Sequence, residues 1–199
     1  MSIRLILASE SPRRRELLGG FGLPFEILPA HADEHCELRD PAAYAEELAR
    51  RKGRAVAETL SAPKEGETLV VVSADTVVAT DREILGKPRD RADAVRMISE
   101  LSGTTHRVIT GIALTVNGVT HSSYEVTEVT VDPIPMEEIE RYVDSGDPMD
   151  KAGGYGIQGD FSRWVRGIRG CYFNVVGLPM NALNRLWFAC MGEYPRSAD

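Results

Sequence analysis

Cysteine is scarce in this chain: Cys36, Cys171 and Cys190 are far apart and form no CxxC pair. An odd, scattered set makes neither a disulfide framework nor a zinc site, so free thiols in a reducing compartment are expected. Long apolar runs are also missing. None approaches the roughly 20 residues that a membrane-spanning helix needs. The opening Met-Ser-Ile-Arg-Leu-Ile-Leu lacks the apolar length of a secretory leader and reads as a strand. Cytoplasmic placement, with no membrane partner, is the default expectation. Positive charge is in deficit, with 23 bases against 30 acids and a formal net charge of −7. Such a surface repels phosphate backbones, so sequence-independent nucleic-acid binding is not expected. The four histidines, His31, His35, His106 and His121, form no metal constellation. No G-x-S-x-G elbow occurs, and no G-x-x-x-x-G-K-[ST] loop, which excludes a P-loop nucleotidase.

What is present is ordinary in bulk: 199 residues, 43% hydrophobic and 27% charged, suit one compact domain over residues 1–199. Ile3 to Ala8 is a buried strand candidate. Ser11-Pro12 supplies an N-cap and a proline at the first helical position, predicting a helix to about Gly20. Phe25 to Leu28 reads as a second strand. Asp40-Pro41 repeats the cap-plus-proline signal and opens a helix to about Leu60. Leu69 to Ala79 is almost continuously apolar and β-branched, hence a central strand. Helices are expected over Arg91 to Leu101, Met136 to Val143 and Leu178 to Met191. Two strands, Arg107 to Val116 and Val119 to Val131, flank Asn117-Gly118, a strong hairpin signal. The pattern predicts an α/β domain around a mixed, partly antiparallel sheet.

Three places break the local rules. Asp75 stands inside the apolar strand Leu69–Ala79, where aspartate is rare and seldom buried without a partner. A strand-end cap is the bland reading, weakened because Val77 and Val78 continue the run. A carboxylate so held suits a Mg²⁺ ligand or a general base on water. Lys52 falls on the apolar stripe of Ala45, Leu48, Ala49, Ala55 and Val56; snorkelling and function explain it equally well. Arg13-Arg14-Arg15 places bases in the first turn of a helix, against the dipole. Consecutive helical residues point about 100° apart, so the three cannot share one solvated face. The strand, the Ser9 turn and the helix N-terminus would make an anion pocket with one arginine.

Gly154-Tyr155-Gly156-Ile157-Gln158-Gly159 matches G-x-G-x-x-G, but no strand leads into it and Pro179 lies where an acid is required. A Rossmann site is therefore rejected. The glycines here allow close backbone approach to a ligand. Gln158 offers a donor and an acceptor, matching the O4/N3–H edge of uracil or thymine. Lys87, in Gly86-Lys87-Pro88, and Glu34, in Asp33-Glu34, are further polar candidates that commonly lie on a surface.

Together, Leu7-Ala8-Ser9-Glu10-Ser11-Pro12-Arg13-Arg14-Arg15-Glu16-Leu17-Leu18, Ser73-Ala74-Asp75-Thr76-Val77-Val78, Gly86-Lys87-Pro88, the block from Asp150 to Gly159, and Asn174-Val175-Val176-Gly177-Leu178-Pro179 resemble the Maf family of nucleotide pyrophosphatases. These blocks follow the family order and span residues 5 to 179. The resemblance implies an α/β, Maf/Ham1-like (ITPase-like) fold of a mixed sheet with flanking helices, in two lobes around a nucleotide cleft. It implies hydrolysis between the α and β phosphates with a divalent cation, Mg²⁺ or Mn²⁺. It places the proton acceptor at Asp75, nucleotide selection at Arg13, Thr76 and Gln158, and polar cleft positions at Glu34, Lys52 and Lys87. The pattern is similar to the branch acting on dTTP and UTP. Asp160-Phe161-Ser162-Arg163-Trp164 departs from it, standing where relatives often carry a small glycine turn.

The mechanism expected has metal bridging the triphosphate, Glu34 and Asp75, while Asp75 activates a water. Arg13, Lys52 and Lys87 would offset charge on the departing pyrophosphate. A pyrophosphatase for 7-methyl-GTP or another non-standard nucleotide is the rival within the same chemistry. A non-catalytic nucleotide sensor restraining cell division is the rival from another class. The sequence does not fix the oligomeric state, and a homodimer is open to it.

Overall fold

The computed structural model describes residues 2–196. In chain order its strands and α-helices are β1 (Ser2–Leu7), α1 (Pro12–Gly19), β2 (Phe25–Ile27), α2 (Pro41–Thr59), β3 (Glu67–Ala79), β4 (Ile84–Leu85), α3 (Arg91–Leu101), β5 (Thr105–Val116), β6 (Val119–Val131), α4 (Met136–Asp144), β7 (Val165–Arg169), α5 (Tyr172–Val176) and α6 (Met180–Met191). The strands form one mixed seven-stranded sheet in the order β2-β1-β3-β5-β6-β7, with β4 added to β3. β1 pairs in parallel with β2 and with β3, whereas β3–β4 and β6–β7 are antiparallel. The α/β class and mixed sheet are as the sequence predicts.

Local chemistry explains most boundaries. Ser11 and Asp40 cap α1 and α2 with their side chains, each followed by proline at the first helical position. Asn117 (φ 47°) and Gly118 (φ 87°) both sit in the left-handed region, as a two-residue hairpin turn requires. Three elements were not expected: the two-residue β4, β7 and the five-residue α5. The segment Val165-Arg166-Gly167-Ile168-Arg169 is short and interrupted by glycine, so its period-2 signal is weak. It survives as an edge strand whose arginines pair outward with Asp132 and Glu128. The closing helix starts at Met180 rather than Leu178, because Pro179 takes the cap position.

Two compact units make up the chain. The first gathers the residues up to Asp75, Thr110–Glu125, and those from Gly177 onward; the second gathers Thr76–Ile109 and Val126–Val176. In the first unit, strand alternation divides the core in two. Leu5, Leu7, Val70, Val72 and Ala74 pack with Leu18 of α1 and with Ala182, Leu183 and Trp187 of α6. Ile6, Leu69 and Val71 pack instead with Val56 of α2. Helix α2 lies directly on the sheet. A Cβ at Gly111 would stand 2.2 Å from the Ala45 carbonyl oxygen, and one at Gly53 would stand 2.7 Å from Ser73 Oγ. In the second unit, Val78, Leu85, Met97, Ile98, Leu101, Val129 and Phe161 belong to one buried cluster.

Candidate active site

Asp75 ends the first of the segments that make up the first unit, and its position follows from strand parity. Residues 69, 71, 73 and 75 share one face of β3, the face on which Ser73 Oγ donates to the Ala49 carbonyl of α2. Asp75 therefore points toward α2, one helical turn beyond Ala49, where Lys52 projects from the apolar stripe. The Lys52 ammonium donates to Asp75 Oδ1 at 2.6 Å and lies 2.8 Å from Glu34 Oε1. The Lys52 and Asp75 side chains are only 15% and 13% exposed, whereas Glu34 is 65% exposed. So Lys52 does not snorkel; it lies between two carboxylates brought from separate segments. Burial works to lower its pKa, but Asp75 and Glu34 outweigh that effect and raise it, so the ammonium stays charged.

The arginine run separates as helical geometry requires, Arg15 facing solvent while Arg13 and Arg14 are half-buried. Arg14 is the one that turns inward. Its Nε donates to the Gly177 carbonyl at 2.9 Å and Nη1 lies 3.4 Å from Ser9 Oγ. Burial lowers its pKa, with Arg13 pushing the same way and Asp75 and Glu34 opposing. Arg14 thus feels the charges of Arg13, Glu34 and Asp75 beside the Ser9 turn. The sequence singled out Arg13 and passed over Arg14. The signal that distinguishes them is the 100° step itself, once the sheet face beneath α1 is known. Tyr44 was also missed. It lies two turns before Lys52 on α2, and its phenol pKa is raised by burial and by the negative charge of Asp75, Cys36 and Glu34.

The second unit carries the remaining candidates. Thr76 follows Asp75 in β3 and is half-buried, whereas Lys87 and Gln158 are exposed. The segments bearing Lys87 and Gln158 are joined through backbone, because Gly153 N–H donates to the Gly86 carbonyl at 2.9 Å. The glycine turn passes through 3₁₀ geometry, with Gly153 (φ 68°) and Gly154 (φ 73°) left-handed. A Cβ on Gly153 would collide with Val78 at 2.7 Å, so close packing on β3 demands glycine there. The glycine turn lies between 3₁₀ segments and does not join a strand to a helix, in keeping with rejection of a Rossmann site there. The departure at 160–164 is a 3₁₀ helix whose Phe161 is buried, its ring 4.6 Å from that of Tyr155.

Among the described residues, no three of His, Cys, Asp and Glu gather as a metal cluster. Glu34 and Asp75 are nevertheless two hard oxygen donors focused on one cationic point, a donor set that suits Mg²⁺ or Mn²⁺ when substrate phosphates complete the coordination. Among the described residues, no helix is long and apolar enough to cross a membrane.

Known proteins match this chain over nearly its whole length. A protein named dTTP/UTP pyrophosphatase from Koribacter versatilis is 51% identical over 187 residues, covering 94% of each chain. One of the same name from Vibrio cholerae is 46% identical, covering 92% of this chain and 96% of its own. Another, from Thermococcus kodakarensis, is 46% identical over 92% and 94%. Among solved structures, the Ham1 protein of Staphylococcus aureus aligns at 12% identity and a TM-score of 0.47, over 81% of this chain and 79% of that one. The family described as Maf-like protein matches residues 4–189, and this chain belongs to it.

Proposed function

We propose that this protein is a nucleoside triphosphate pyrophosphatase, hydrolysing dTTP and UTP, modified pyrimidine triphosphates included, to the monophosphate and pyrophosphate. The observation that carries this reading is the Asp75–Lys52–Glu34 cluster, a carboxylate set inside an apolar strand and paired with a buried ammonium. Relatives that carry the name dTTP/UTP pyrophosphatase at about half identity support it.

In this reading Asp75 accepts a proton from the water that attacks the α-phosphorus. Lys52 fixes the carboxylate through the 2.6 Å bond to Oδ1. Arg13 offsets charge on the triphosphate, with Arg14 beside it to hold the Ser9 turn, and Lys87 meets a phosphate oxygen. Phosphoryl transfer needs positioning and electrostatic stabilisation more than covalent chemistry, and this set of residues supplies both. Glu34 and Asp75 would hold the divalent cation, which when bound supplies further charge neutralisation on the phosphates. Thr76 and Gln158 select the base. An enzyme acting on the free nucleotide pool belongs in the cytoplasm.

Replacing Asp75 by Asn keeps the shape and removes the basic oxygen. Turnover of UTP should fall by about 10²- to 10⁴-fold with the circular dichroism spectrum unchanged. Wild-type turnover in that variant would sink the assignment. A panel of triphosphates with product identification tests the rest. UTP and dTTP should be cut fastest, yielding pyrophosphate. Faster cleavage of 7-methyl-GTP would transfer the protein to the rival substrate class, and binding without product release would make it a nucleotide sensor.

A further inference from the structure

We propose that His106 and Tyr155 form a buried latch that sets the position of Gln158, and so governs base selection without touching substrate. This inference rests on the base-reading role given to Gln158 above.

His106 lies on β5 and is 2% exposed; Tyr155 lies in the glycine turn and is 6% exposed. The His106 Nε2 and the Tyr155 hydroxyl are 2.7 Å apart, and the two rings meet edge to face at 5.4 Å. Burial pushes the imidazole pKa down to about 4, so the ring is neutral at physiological pH. His106 Nδ1 is buried with no partner among the described residues.

That orphan nitrogen is informative. A pair of apolar side chains would fill the same core without leaving a polar atom unsatisfied, and would stabilise it at least as well. A single directional bond in an apolar setting instead specifies one arrangement. It fixes the turn at Tyr155, three residues before Gln158.

The neighbouring contacts extend the constraint along the turn. The Tyr155 ring packs at 4.6 Å against Phe161, which lies 5.4 Å from Tyr142. The Tyr142 hydroxyl donates to Asp147 Oδ2 at 2.7 Å. Lys151 Nζ, bonded to Asp147 and Asp150, lays its chain where a Cβ on Gly156 would fall, 2.8 Å from Cε. Gln158 itself is exposed. Its placement depends on residues 153–156, and of these Tyr155 alone is tied by its side chain to a strand.

The test uses the full-length protein with UTP and CTP, which differ at the base edge that Gln158 would read. Tyr155→Phe retains the ring and removes the bond. It should raise KM for UTP about tenfold, leave kcat within about twofold, and lower the UTP-over-CTP preference by a similar factor. Gln158→Ala should do the same, and the double variant should lose no more than either single change. His106→Gln, which keeps a hydrogen-bonding group near the Nε2 position, should restore the preference, whereas His106→Leu should abolish it.

An unchanged preference in Tyr155→Phe, with Gln158→Ala impaired, overturns the latch alone. An unchanged preference in Gln158→Ala overturns the base-reading role and the latch with it. A fall in kcat at constant KM, additive losses in the double variant, or unfolding of both Tyr155→Phe and His106→Leu would make the pair catalytic or merely structural, and would equally overturn the proposal.

Discussion

The two units solve the same problem, a polar group held in an apolar setting, with opposite chemistry. In the first, Lys52 lies in ion pairs with Asp75 and Glu34, whose charges keep its ammonium protonated. In the second, His106 and Tyr155 are neutral groups joined by a directional hydrogen bond. Ions suit phosphate chemistry, since charge develops during reaction and must be met by fixed opposite charge. Neutral bonds suit base selection, which depends on where a donor and an acceptor point. Removing a charge should therefore cost rate, and removing a neutral bond should cost discrimination.

The sharpest way to break this contrast is Lys52→Met. Methionine retains the apolar stem on the α2 stripe while deleting the ammonium, so packing persists and the carboxylates lose their shared partner. We expect kcat/KM for UTP to fall about 10²- to 10³-fold. Stability should fall by about 2 kcal/mol, below the usual cost of splitting a fully buried pair because Glu34 faces water. Steady-state kinetics and chemical denaturation measure both. A rate within threefold of wild type would mean that the ion cluster is scaffolding only.

Next in size is Gly111→Ala. The added Cβ would meet backbone, the Ala45 carbonyl at 2.2 Å, and backbone yields less readily than the end of a side chain. Helix α2 must lift from the sheet, taking Lys52 with it. A loss of about 3 kcal/mol is expected in urea denaturation, with reduced turnover. Intact stability would show that α2 rides more loosely than the coordinates indicate.

How much of this could be read beforehand differs between the units for a physical reason. Asp75 was legible because an acid in a β-branched run violates a strong local rule, and strand and helix bounds near it were marked by caps and prolines. Lys52 was only half legible. Periodicity put it on the inward stripe, but snorkelling and ion pairing produce the same pattern until the partner strand is placed. Arg14 was hidden within three consecutive arginines, since choosing among them requires the face that Gly177 occupies. In the second unit, His106 and Tyr155 are 49 residues apart and lie in segments whose local patterns are unremarkable. Their meeting is a product of tertiary folding. The resemblance supplied Gln158 and Lys87 as residues, not the Gly153–Gly86 bond that ties their segments together.

The neutral histidine makes the second unit acid-sensitive in a defined window. His106 titrates near 6.5 when unfolded and at about 4 when folded, so between these values the unfolded state binds more protons. Stability attributable to this residue is complete above pH 6.5, declines as pH falls toward 4, and changes no further below it. A gap of that size corresponds to on the order of 3 kcal/mol. Denaturation midpoints measured from pH 7.5 to 4 should show the decline in wild type, and a flatter profile over the same window in His106→Leu. Parallel profiles would show that other groups set the acid limit.

The smallest effects discriminate best, because two variants of similar thermodynamic cost should part in their kinetics. Ser73→Ala removes the 2.7 Å bond from β3 to the Ala49 carbonyl, and Tyr142→Phe removes the hydroxyl that donates to Asp147. Each should lower stability by roughly 1–2 kcal/mol, Tyr142→Phe toward the upper end because its partner is a carboxylate. Ser73→Ala leaves the ion cluster intact, since Asp75 and Lys52 are bonded to each other directly, so KM and base preference should stay within twofold. Tyr142→Phe frees the turn before Gln158, and its KM for UTP should rise severalfold while kcat holds. Equal kinetic behaviour in the two variants would remove the distinction between a unit that sets rate and a unit that sets choice.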